Sequence, residues 1–100
     1  DLDASEAFYR RLGFTTRDGD DGYRMLSDGR GGELHLTTAV EGWLVPGRNP
    51  FGLYLYTEDV DRLAREMGCT ATDQPWGMTE FAVSDPDETL VRIGWPTRLR

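Results

Sequence analysis

Cysteine and histidine are almost missing from this chain, which carries one of each, Cys69 and His35. A lone thiol closes no internal disulfide, and no C-x-x-C spacing offers a redox couple or a metal ribbon. Cys69 follows Gly68 with no histidine near it in sequence, so a small packing residue fits it better than a nucleophile. A chain that relies on no disulfide suits a reducing compartment, and the cytoplasm is the expected location. Long apolar runs are also lacking. None approaches the roughly 20 residues of a bilayer span, and no signal-peptide pattern opens the chain. The expectation is therefore a soluble protein without a membrane partner. Positive charge is the scarcer sign, with 11 basic against 18 acidic residues and a net charge of −7. Such a field repels a phosphate backbone, which excludes nucleic acid as a partner. The acidic surplus has two readings, plain solubility or attraction of a cationic ligand.

What is present describes an ordinary small globular domain. The 100 residues are 38% hydrophobic and 11% aromatic, enough for a modest core and too apolar for disorder. Residues 1–13 read as a helix. Asp3 and Glu6 have capping-box spacing, Phe8 and Leu12 lie one turn apart on the expected buried face, and Gly13 suits the left-handed position after the helix. Residues 59–68 repeat the pattern, with Val60, Leu63, Ala64 and Met67 at helical spacing and Gly68 as the stop.

The two helices share the opening D-[LV]-D at 1–3 and 59–61, 58 residues apart. Ser27-Asp28 and Ser84-Asp85 are 57 apart, and that offset lays Leu34, His35 and Leu36 on Val91, Arg92 and Ile93. Strands are expected at 15–17, 23–26, 33–38, 52–57, 79–83 and 90–95, with turns at Asp28–Gly32 and Asp85–Asp87. The pattern predicts a duplicated module of helix plus three strands: module one over 1–40, a proline- and glycine-bearing linker over 41–50, and module two over 51–100. Module two is led by the strand at 52–57, whereas module one begins at its helix. A strand of about six residues is therefore expected ahead of Asp1, absent from this chain.

Strand alternation sorts the side chains into two faces. Leu34, Leu36, Leu53, Leu55, Val91 and Ile93 form an aliphatic face expected under the helices, and Trp95 goes with them. Glu33, His35, Thr37, Tyr54, Tyr56, Leu90, Arg92 and Gly94 form the opposite face. Tyrosines, a histidine and an arginine there suit a ligand surface; a solvated outer face is the plainer reading.

Four motifs occur in order: D-L-D-x-x-x-x-F-Y-R-R-L-G-F at 1–14, G-E-L-H-L at 32–36, P-W-G-M-T-E-F-A-V-S-D-P-D at 75–87 and T-L-V-R-I at 89–93. Together they resemble bleomycin-resistance-type members of the vicinal-oxygen-chelate (glyoxalase/bleomycin-resistance/dioxygenase) superfamily. The resemblance implies an α+β fold: one domain over 1–100 built as two tandem βαβββ modules forming a cupped mixed sheet, with the first strand of module one absent. Enzymatic members hold one divalent metal through side chains on the first and last strands of each module. Here those positions fall on His35, on Gly52, which has no side chain, and on Arg92, whose guanidinium cannot ligate. His35 is thus the one candidate metal ligand in the chain. No cofactor and no catalytic residue are expected.

The resistance-type members bind a large cationic antibiotic in an aromatic crevice at a dimer interface. By that likeness the ligand-binding candidates are Tyr23, His35, Trp43, Tyr54, Tyr56, Trp76, Phe81 and Arg92, with loop or interface packing the plainer reading for Trp43 and Trp76. The sequence departs from the drug-binding pattern at Met78, Glu80 and over 41–50. The reading is a homodimeric, non-enzymatic protein that sequesters a bleomycin-type antibiotic. The alternative is a metal-dependent glyoxalase-like lyase or ring-cleaving dioxygenase that uses His35 and a ligand on the absent strand.

Overall fold

The computed structural model describes residues 1–39, 41, 42, 45 and 47–100, which form two compact units, Asp1–Asn49 and Pro50–Arg100. The predicted α+β class holds, with two helices and two sheets. Among the described residues no helix is long and apolar enough to cross a membrane.

In the first unit, α1 runs over Leu2–Arg11. Its cap differs from the expected Asp3–Glu6 box. Asp1 sits at the N-cap and its carboxylate accepts the Ala4 N–H at 3.1 Å, satisfying one of the amides that a helix start leaves open. Asp3 and Glu6 turn to the sheet instead. The Arg24 guanidinium donates to Asp3 at 2.9 Å and to Glu6 at 3.2 Å, and the other Glu6 oxygen accepts from Thr16 at 2.6 Å. The helix ends where predicted, at Gly13, whose φ of 102° is closed to most side chains. Its buried face is Ser5, Tyr9 and Leu12, with Phe8 only half-buried. Tyr9 meets the edges of Phe8 and Phe14 at 5.0 and 6.4 Å between ring centroids.

Beneath the helix lies an antiparallel meander of β1 (Thr15–Asp20), β2 (Tyr23–Ser27) and β3 (Glu33–Thr37), with a bulge between Thr16 and Asp18. Fully buried Leu26 and half-buried Leu34 and Leu36 face the helix, as alternation predicts. The β2–β3 turn is tied by Asp28, whose carboxylate accepts the Arg30 and Gly32 N–H groups at 2.7 and 2.8 Å.

The second unit has β4 (Gly52–Tyr56), α2 (Val60–Glu66), β5 (Thr72–Asp73), β6 (Met78–Ser84) and β7 (Leu90–Pro96), then a 3-10 turn over Thr97–Leu99. The strand order is β4-β7-β6-β5, with β4 parallel to β7 and the other pairs antiparallel. This is a βαβββ arrangement, and its last four elements repeat the helix-then-meander order of the first unit. Val60, Leu63 and Ala64 of α2 are buried, as are Phe81, Val91 and Ile93 of the sheet. The two-residue β5 was not anticipated, being too short to display alternation.

Candidate functional site

The polar sheet faces bear the candidate chemistry, one on each unit. In the first unit, Tyr23 stands opposite Thr37 and Met25 opposite His35, so Tyr23 and His35 are diagonal neighbours on one face. The Tyr23 hydroxyl and His35 Nδ1 are 2.7 Å apart, with ring centroids at 5.4 Å and planes at 73°. Beside them Arg17 bridges to Glu33 at 3.3 Å and touches the Met25 sulfur at 3.6 Å. The bond between phenol and imidazole orients both rings on an open surface.

In the second unit, register builds two rows across the sheet: Tyr54, Arg92 and Ala82 in one, Tyr56, Gly94 and Glu80 in the next. The Tyr54 and Tyr56 rings lie 5.0 Å apart, tilted by 49°. Gly94 decides how the rows connect. A Cβ there would collide with the Tyr54 hydroxyl and crowd the Glu80 Cβ at 2.9 Å, so its absence lets the phenol cross β7 towards Glu80.

Glu80 is the functional candidate missed in the sequence. It is 5% exposed, and a carboxylate stripped of water needs donors. It accepts the Trp76 indole N–H at 2.5 Å and has Arg92 Nε as an ion-pair partner at 4.0 Å, with the Tyr54 hydroxyl reaching over Gly94 towards it. Burial, followed by the charge of Glu80, raises the Tyr54 pKa above the usual phenol value. Trp76 occupies a tight turn closed by the Gly77 N–H on the Gln74 carbonyl at 3.0 Å, for which Pro75 supplies a suitable second residue. Trp76 is 66% exposed although its N–H is engaged. The sequence signal for Glu80 was weak: an acidic residue in a strand, alternating with Phe81 and Val83.

The structure thus places Tyr54, Tyr56, Trp76 and Arg92 on one surface, and Tyr23 and His35 together on another. Phe81 corrects the expectation of a stacking residue. It pairs with Ile93 on the helix side, is 5% exposed, and belongs to the core. Trp43 lies outside the described residues. Among the described residues no group of three His, Cys, Asp or Glu side chains is placed to hold a metal ion.

The chain is 32% identical to a bleomycin resistance protein of Klebsiella pneumoniae, over 93% of its own length and 82% of that relative. It belongs to the bleomycin resistance protein family. Two solved structures are similar to this family member at 28% identity. One is a bleomycin-binding protein complexed with bleomycin, with a TM-score of 0.78 over 95% of this chain and 89% of that one. The other is a bleomycin resistance determinant encoded on the transposon Tn5, with a TM-score of 0.79 over 96% and 89%. No family model matches the chain.

Proposed function

We propose that this bleomycin-resistance family member binds and sequesters a cationic, aromatic antibiotic of the bleomycin type without altering it, acting in the cytoplasm as a homodimer. The observation that carries the reading is the exposed aromatic surface of the second unit, where Tyr54 and Tyr56 lie on a sheet face and Trp76 stands on the turn before β6, tied to Glu80 of that face. Flat rings of this kind stack on planar ligands at roughly 0.5–1.5 kcal/mol per pair beyond burial. Kinship with a bleomycin resistance protein and similarity to a bleomycin-bound one support the choice of ligand. Arg92, 53% exposed, and the Tyr23–His35 pair supply hydrogen-bonding groups for the ligand's polar parts. The net charge of −7 favours a cation. The tandem-module reading, with module one over 1–40 and module two over 51–100, belongs to the same proposal.

The test is titration with bleomycin while following tryptophan emission, with mass spectrometry of the recovered drug. Saturable quenching and an unchanged drug mass are expected. A flat titration, or a chemically altered drug, overturns the reading. Sedimentation of the free protein at micromolar concentration tests the dimer, which a monomer's mass would refute.

A further inference from the structure

We propose that Glu80 is a positioning residue, whose buried carboxylate holds the Trp76 indole in one orientation with its ring open to solvent, as a pre-set stacking surface for a flat ligand. This role rests on the binding reading above and acts through Trp76.

Exposure alone leaves an indole free to change rotamer, because nothing packs around it. Trp76 is 66% exposed on a turn, so its orientation has to come from a polar anchor. The N–H bond to Glu80 at 2.5 Å is that anchor. The anchor is itself immobile. Glu80 sits in the middle strand of the β7-β6-β5 meander, nineteen-twentieths buried, with the Tyr54 hydroxyl on its side of Gly94 and the Arg92 guanidinium 4.0 Å away as an ion-pair partner. An aliphatic side chain would be easier to bury at this position. What it would lack is an acceptor for the indole. The arrangement also explains Gly94, since any side chain there would displace the Tyr54 hydroxyl from Glu80. A platform fixed before the ligand arrives spares the ordering cost of immobilising a rotamer on binding.

The test compares the wild type with E80A, E80Q, W76F and E80A/W76F, using nitrogen-15-labelled indoles and bleomycin as the probe. In the free protein the Trp76 indole proton, assigned by its disappearance in W76F, is expected downfield and slow to exchange. E80A moves it to the position of a free indole. E80Q, whose amide oxygen still accepts, restores most of the shift. For bleomycin, E80A weakens binding about three- to tenfold, the size of one lost aromatic pair, and E80A/W76F binds no more weakly than W76F alone. An indole signal indifferent to E80A, or losses from E80A and W76F that add, overturns the positioning role. Should the alanine variant fail to fold, E80L fills the space without an acceptor and answers the same question. If the wild type binds no bleomycin, the proposed function falls, while the indole signals still decide the role of Glu80.

Discussion

Tyr54 shows how one missing side chain sets the chemistry of its neighbours. Because Gly94 lacks a Cβ, the phenol reaches Glu80 and loses water on the way. Both that burial and the Glu80 charge disfavour a tyrosinate, so the folded state keeps a proton that the unfolded chain releases near pH 10.0. The resulting stability is fully present below that pH and is lost as pH rises through the higher folded value. The expected outcome is a phenol transition above pH 10 in 295 nm absorbance, assigned to Tyr54 as the difference from Tyr54→Phe. A difference transition at or below 10 would remove the claimed contact with Glu80.

At the level of elements, most of the fold was legible because period and punctuation agreed. Gly13 and Gly68 stopped helices where predicted, and alternation put Leu34, Leu36, Val91 and Ile93 on the helix side. What escaped was whatever depends on contacts distant in sequence. The Asp3–Glu6 spacing looked like a cap, but Arg24, 21 residues beyond Asp3, recruits both carboxylates and leaves the cap to Asp1. Phe81 passed for a ligand residue because only its register against Ile93 reveals which face it occupies, although its alternation with Val83 was a usable hint. Glu80 escaped for the same reason, since its donor comes from the turn before β6 and its ion-pair partner from β7. The cap assignment is directly testable. Asp1→Ala should destabilise the protein by about 0.5–2 kcal/mol in urea unfolding, the worth of an N-cap. Asp3→Ala should cost less, because its side chain is 85% exposed and screened by water. A larger loss at Asp3 would return the cap to the box suggested by the sequence.

On the scale of the whole molecule, the net charge of −7 is the property left with two readings, solubility or ligand attraction. Salt separates them. Stacking on Trp76, Tyr54 and Tyr56 removes apolar surface from water and is insensitive to ionic strength in the submolar range. Attraction of a cationic drug to the acidic field acts across several ångströms of solvent, and the Debye length shrinks from about 10 Å at 0.1 M to about 3 Å at 1 M salt. If the charge serves binding, raising salt from 0.05 to 0.5 M should slow bleomycin association several-fold while dissociation stays nearly constant, because steering acts on encounter and stacking on residence. Stopped-flow tryptophan fluorescence measures both rates. Association indifferent to salt would assign the acidic surplus to solubility and leave the aromatic surface to bind without electrostatic help.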